Sequence, residues 1–386
     1  MFIPRTLESS IKRLAKKFPI VSVTGPRQSG KTTLLRSSFP DYTYISLENL
    51  DEREFAQNDP RGFLEAYGSQ LIIDEAQKVP TLFSYLQGVV DEKNSPGQYI
   101  LSGSQNFLLQ KHITQSLAGR VAIFRLLPFT IQELTNVGMR APQWQEMALK
   151  GFYPRSYTYD IAPTDFYGNY VDTYVERDVA DILNIQSIAR FRNFVKLCAD
   201  RVGSVLNLSG LAKDAGIAVN TAKAWLSVLE TSYIIFQLQP YYKNFSKRLI
   251  KSPKLYFWDT GLLSYLLNAD SIAPSSVHTV GGKLFENMMI ADYRKAILHQ
   301  GEKPASYFWR DAHGKEIDLL SEGKKGLSLV EFKSGLTIHS KAIGLLSDFQ
   351  DIPAKEVFEK KLIYGGKKSY VRNGIHVQSW DGHIEK

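Results

Sequence analysis

The stretch Val21–Leu35, VSVTGPRQSGKTTLL, decides how the rest of the chain is read. Within it Gly25-Pro26-Arg27-Gln28-Ser29-Gly30-Lys31-Thr32 fits the pattern G-x-x-x-x-G-K-[ST] without a mismatch. Ile20–Val23 ahead of it reads as a short buried strand, and Thr33–Arg36 behind it as the first turn of a helix. Strand, loop and helix are the context this motif requires. Gly25 and Gly30 let the backbone turn tightly and bring its N–H groups against phosphate oxygens. The helix start adds donors and the positive end of a dipole. Lys31 supplies a mobile charge for the outer phosphates, and the Thr32 hydroxyl is placed to ligate magnesium. The stretch therefore predicts a nucleotide phosphate loop, with Thr33 at its edge and Mg2+ beside the phosphates.

Working outward, Leu71-Ile72-Ile73-Asp74-Glu75 is an apolar run that ends in two acids. That fits a buried parallel strand whose carboxyl end faces the nucleotide. Asp74 is then placed to hold magnesium through a water, and Glu75 to act as general base on the attacking water. Tyr99–Asn106 is a further apolar strand with a small polar end, where Ser104, Gln105 or Asn106 would sense the γ-phosphate. The same Ser104 would equally serve as an ordinary helix cap. Arg120 precedes the strand Val121–Leu126 and is a candidate phosphate sensor, or an arginine finger offered to a neighbour. Alternation of strand and helix through this region predicts a three-layer α/β unit on a parallel sheet.

Residues 20–130, with GPRQSGKTT, LIIDEAQ, ILSGSQN and SLAGR, resemble the AAA+ ATPases of the archaeal–bacterial group that carry a C-terminal domain of unknown function. The resemblance extends over nearly the whole chain. It implies ATP binding, ATP hydrolysis and a switch-like role, and it supplies no substrate. Tyr174–Val179 is similar to a YxERDV signature of the same family. There Arg177 and Asp178 would sense nucleotide from the lid side or form a solvated charge run.

Composition bounds the rest. At 386 residues, 44% hydrophobic and 22% charged, the chain predicts two or three ordinary globular domains. Lys plus Arg outnumber Asp plus Glu by 47 to 39, a net +8 that allows contact with nucleic acid without requiring it. Cys198 is the only cysteine, which rules out a disulfide within the chain and a cysteine-built metal site. No apolar run approaches a membrane span or a signal peptide, so a soluble cytoplasmic protein is expected.

Beyond the ATPase region, Thr164 is a candidate cap of a long helix in which Phe166, Tyr170 and Tyr174 share a face, as core aromatics do. Two helices follow within Leu206–Glu230, the first capped by Ser209. Strands at Ile234–Gln239 and Lys254–Trp258 come next, joined by the basic, aromatic 241–248. This order predicts a winged helix. It would bind DNA through that wing or, lacking an arginine on its second helix, serve as a lid or protein contact. Asp259 reads as the cap of the helix after it.

The last segment predicts a helix opened by Gly281-Gly282, with Glu286 in its first turn. A hairpin carrying Asp318 follows, then Leu327–Lys333, in which Glu331 and Lys333 share a face opposite Phe332. Glu286, Asp318, Glu331 and Lys333 resemble the PD-(D/E)xK nuclease core, which implies magnesium on the strand carboxylates and a lysine that activates water. Lys333 simply neutralising Glu331 and Asp318 is the plain alternative. The expected organisation is an ATPase domain over 1–160, a helical and winged-helix domain over 161–272, and a nuclease-like domain over 273–386. Three functions fit: a nucleotide-driven switch on DNA, a nucleotide-gated protein-interaction module on an inactive scaffold, and an ATP-regulated nuclease. A small-molecule kinase is a weaker rival.

Overall fold

A computed structural model describes residues 3–93, 95–104, 117–159, 161–179, 187–241, 252–269, 277–311, 313–349, 352 and 356–382. The expectations for Gln105 and Asn106, and for all but the first residue of the wing at 241–248, lie outside these residues. So do the side chains of Arg177 and Asp178. The chain divides into two compact units. The first comprises Met1–Phe129, Thr231–Tyr233 and Lys295–Glu302, and the second comprises Thr130–Glu230, Ile234–Arg294 and Lys303–Lys386.

The first unit is an α/β fold on five parallel strands: β1 Ile20–Thr24, β2 Thr43–Ser46, β3 Leu71–Asp74, β4 Tyr99–Gly103 and β5 Val121–Arg125. Their order is β2-β3-β4-β1-β5. The runs are apolar throughout because both faces of the sheet are covered. Leu71, Ile73, Tyr99 and Leu101 point into one core with Phe63, Leu82, Phe83 and Leu86. The alternate residues Ile72, Ile100, Val21 and Val23 point into another with Leu7, Ile11, Leu34 and Leu35. Helices α1 (Leu7–Ala15) and α2 (Lys31–Ser38) therefore cover one face, while α3 (Leu50–Asn58), α4 (Pro60–Tyr67) and α5 (Leu82–Lys93) accompany the other. Asp59 joins α3 directly to α4. The Asp59 side chain accepts from Gly62 N at 2.8 Å and Pro60 takes the first helical position, so α4 starts where α3 ends.

The second unit holds β6 Ile235–Pro240, β7 Lys254–Phe257, β8 Ser306–Arg310, β9 Glu316–Gly323, β10 Gly326–Lys333, β11 Val357–Tyr364, β12 Tyr370–Arg372 and β13 Ile375–Ser379. β10 lies between antiparallel β9 and parallel β11 and is largely buried, as its double-faced apolar pattern predicts. The β6–β7 hairpin continues the same sheet, since Gln239 and Pro240 pair with Tyr307 and Phe308 of β8. The segments expected as winged-helix and nuclease-like domains thus contribute strands to one sheet.

Several local expectations shift. Asn207, not Ser209, caps the helix Leu208–Asp214 by accepting from Gly210 N at 2.9 Å. Pro163 opens the helix Pro163–Tyr170 without a side-chain cap, and that helix passes into a π-helix over Val171–Val179. Phe166, Tyr170 and Tyr174 are buried there, as core aromatics. The helix Val277–His299 begins before the glycine pair, so Glu286 sits in its third turn. Asp259 caps Thr260–Leu266 through Leu262 N and also accepts from Phe152 N at 2.7 Å.

Candidate functional site

In a parallel sheet the carboxyl ends of all strands lie along one edge. Thr24, Ser46, Asp74, Gly103 and Arg125 end the five strands of the first unit, and Gly25–Gly30 leaves that edge between β1 and α2. A Cβ on Gly25 would stand 2.0 Å from the Leu126 carbonyl oxygen, so only glycine fits. Gln28 and Gly30 are left-handed, at φ 62° and 91°. Gly30 leaves the start of α2 without a side-chain cap, its donors turned toward the loop. Arg5 braces the loop from outside, donating to Ser29 O at 2.8 Å and to Leu127 O at 2.6 Å.

Lys31 is buried, and its Nζ donates to Gly25 O and Pro26 O, both at 2.9 Å. Burial pushes its pKa down, while the nearby charges of Glu75 and Asp74 pull it up. A buried ammonium that among the described residues donates only to neutral carbonyls is suited to an anionic partner. The Ser29 hydroxyl is buried without a hydrogen-bond partner. Arg27 is exposed, 4.0 Å from Glu48, and Thr33 is exposed on α2. On these observations the loop fits a polyphosphate.

β4 lies between β1 and β3 and so carries its polar end between the loop and the acids. Asp74 gathers four donors. Thr32 Oγ1 (2.7 Å) and Tyr44 OH (2.8 Å) donate to its Oδ2, and Ser102 Oγ (2.5 Å) and Glu75 N (3.1 Å) to its Oδ1. Thr32 and Asp74, the pair expected to serve magnesium, are thereby in direct contact, and an oxygen pair of this kind suits a hard cation. Ser104 lies on Glu75 rather than free at the strand end: its N (3.2 Å) and Oγ (3.0 Å) both donate to Glu75 Oε2. Gln77 Nε2 donates to that same oxygen. Tyr44, Ser102, Gln77 and Arg5 escaped sequence reasoning: the contacts of Tyr44 and Ser102 depend on strand order, that of Gln77 on the turn after β3, and those of Arg5 on tertiary packing. Thr24 Oγ1 also meets the Tyr233 hydroxyl at 2.6 Å, from a segment far along the chain. Burial raises the Tyr233 hydroxyl pKa to about 12.

Arg120 is not brought to the loop in this structure. It precedes Val121, which pairs in register with Ile20 at the amino end of β1. That is roughly 16 Å along the strands from the loop. There it forms a two-point ion pair with Asp91 of α5, at 2.5 and 2.8 Å.

The second constellation assembles in the second unit with partners that the spacing did not reveal. Lys333 Nζ donates to Glu331 Oε2 at 2.9 Å, and Asp318 Oδ2 accepts from Phe332 N at 2.9 Å. Glu286 Oε1 accepts from Tyr256 OH at 2.6 Å. Lys254, almost wholly buried on β7, places its Nζ 3.4 Å from Glu286 Oε1 and in closer contact with Glu316 Oε1. Burial first, and the Asp318 charge second, raise Glu286 to about 7 and Glu331 to about 8. Lys333 is raised against its burial, chiefly by the Asp318 and Glu331 charges. Among the described residues no group of three or more His, Cys, Asp or Glu side chains is arranged to hold a metal ion. The four residues are brought into one electrostatic neighbourhood, with the Lys333 and Lys254 ammonium groups set against its carboxylates.

Comparison with known proteins follows the same division. Residues 17–135 match the family described as AAA domain. Residues 141–273 and 281–381 match two domains of unknown function, DUF8612 and DUF4143. The uncharacterized protein Rv2008c of Mycobacterium tuberculosis is 31% identical over 323 residues, covering 82% of this chain and 71% of that one. The chain belongs to the same family as this mycobacterial protein. Its first unit contains a P-loop domain of the AAA ATPase type. An uncharacterized protein of Methanocaldococcus jannaschii, MJ1544, is 24% identical to this AAA-type chain over 348 residues, covering 81% of it and 74% of the relative. Among solved structures, the Walker-type ATPase Paby2304 of Pyrococcus abyssi is 15% identical with a TM-score of 0.45, covering 68% of this chain and 94% of that one. Among the described residues, no helix of the AAA-type chain is long and apolar enough to cross a membrane.

Proposed function

We propose that the chain binds ATP with magnesium at Gly25–Thr32, hydrolyses it, and uses the nucleotide state as a conformational switch that acts on or with DNA. The observation that carries this reading is the 2.7 Å contact of Thr32 with Asp74, beside a buried Lys31 that among the described residues donates only to backbone carbonyls. In this reading the backbone N–H groups of Gly25, Pro26, Arg27, Gln28, Ser29 and Gly30 cradle the phosphates. Lys31 swings from its two carbonyls to the outer phosphates. Thr32 and Asp74 hold magnesium, which neutralises charge on the phosphate oxygens. Glu75 takes the proton of the attacking water, and Ser104 and Gln105 line the γ-phosphate side.

DNA enters as the partner on two grounds. The chain carries net +8. In addition, the helices Leu208–Asp214 and Val219–Thr231 precede the β6–β7 hairpin in winged-helix order, and Asn220, Lys223 and Ser227 of the second helix are exposed. The deciding experiment is phosphate release by the full chain with and without duplex DNA. DNA-stimulated turnover supports the switch. Turnover indifferent to DNA, with no salt-dependent DNA binding, contradicts it.

One observation favours a second reading, a protein-interaction module on an inactive nuclease-like scaffold. Lys254 lays its own positive charge against Glu286 and Glu316, where a nuclease would place a cation. The rival nuclease reading requires magnesium-dependent DNA cleavage that survives Lys31→Ala and disappears in Lys333→Ala. The scaffold reading requires no cleavage by the wild-type chain.

A further inference from the structure

Gln77 is buried, and its side-chain amide lies against two groups of the hydrolytic edge. Facing the Glu75 carboxylate, the amide must present its NH2, because an amide oxygen would meet a second acceptor. Nε2 accordingly donates to Glu75 Oε2. The opposite atom, Oε1, is buried with no hydrogen-bond partner. A buried acceptor left unpaired costs about 1–3 kcal/mol, so an amide at this position does not serve its own stability. What it supplies is the donor to Glu75.

The surrounding backbone is shaped to keep it there. Glu75 adopts a left-handed conformation at φ 53°, ψ 42°, unusual for a non-glycine residue. That conformation turns the chain from β3 into the short 3-10 helix Ala76–Lys78 and returns Gln77 over the Glu75 carboxylate. On the other side a Cβ at Gly103 would stand 2.2 Å from Gln77 Oε1. Gly103 is not among the glycines with positive φ, so its backbone makes no demand for glycine. Its missing side chain is the seat of the Gln77 amide.

From this we infer that Gln77 is a positioning residue for hydrolysis, holding Glu75 by one carboxylate oxygen so that the other is presented to the attacking water. Gln77 Nε2, Ser104 N and Ser104 Oγ converge on Oε2, and no described residue hydrogen-bonds to Oε1. Three donors on one oxygen fix a side chain that otherwise has three free torsions, and a general base works only within a narrow geometry. The inference rests on the reading of Glu75 as the base.

The test uses the full chain, with phosphate release at saturating Mg-ATP and nucleotide affinity by calorimetry. Gln77→Met keeps the side-chain length and removes both the donor and the orphaned acceptor. Its melting temperature is expected to equal or exceed the wild-type value, its ATP affinity to stay within about threefold, and its kcat to fall about ten- to a hundredfold. Gly103→Ala, which displaces the amide, is expected to lower kcat alike, and to add nothing in a Gln77→Ala background where the seat is empty. In a Glu75→Gln background, Gln77→Met is expected to leave the residual rate unchanged, which a merely structural role would not produce. A wild-type kcat in Gln77→Met overturns the inference, and a raised kcat does so too, because Gln77 would then restrain Glu75. Absence of turnover in the wild type, with ATP bound, instead overturns the reading of Glu75 itself.

Discussion

Asp74 and Glu75 are adjacent in sequence yet held in opposite ways. Asp74 is met by Thr32, Tyr44, Ser102 and the Glu75 N–H on both its oxygens, whereas among the described residues Glu75 is gripped on Oε2 alone. The first arrangement suits a charge that stays put beside a cation, and the second a base that must receive a proton. Replacing Glu75 by Gln is therefore expected to preserve ATP affinity and lower hydrolysis by about 10²–10⁴-fold, the usual worth of a general base. Single-turnover phosphate release beside a binding isotherm checks this, and unchanged turnover would remove Glu75 from its role. The loop makes its own prediction. Gly25→Ala pushes a Cβ onto the Leu126 carbonyl and is expected to abolish ATP binding by calorimetry while α2 and the sheet still fold. Retained wild-type affinity would contradict the cradle geometry.

At the scale of elements, the legible part of the sequence was the part governed by local rules. LIIDE and YILSG declared themselves as buried parallel strands because continuous apolar runs have no other comfortable place. The glycine-and-lysine spacing declared the loop. Which strand lies between which is not local, so the contacts of Ser102 and Ser104 with the acids appeared only with the order β3-β4-β1. Arg120 is different: its place at the start of a parallel strand already put it at the wrong edge of the sheet. Lys254 was illegible because β7 reaches Glu286 and Glu316 only through tertiary packing. The burial of Glu331 beside the Asp318 charge carries a pH consequence. Glu331 is raised from 4.5 to about 8, so between those values the unfolded chain has released a proton that the folded chain keeps. The unfolded state binds fewer protons, and stability falls as pH rises through that window. Urea midpoints at pH 5.5 and 8 are expected to show this fall in the wild type and a shallower one in Glu331→Gln. Equal slopes would mean that Glu331 is already ionised in the fold.

At the scale of the whole molecule, an AAA-type domain is joined to two domains whose matches carry no assigned function. The switch reading demands that the two units be coupled energetically, and coupling is reciprocal. If duplex DNA binds the second unit, Mg-ATP is expected to change DNA affinity about five- to 150-fold, and DNA to change ATP affinity by the same factor. Fluorescence anisotropy on labelled duplex, with and without nucleotide, reads the first, and calorimetry reads the second. DNA affinity indifferent to nucleotide would sever the proposed link.

All of this depends on whether the loop after β1 holds a triphosphate. Calorimetric titration of ATP into the full chain with magnesium measures that most directly. One site per chain, lost in Lys31→Ala, is the predicted result; no heat of binding in the wild type, or binding untouched by Lys31→Ala, would contradict it.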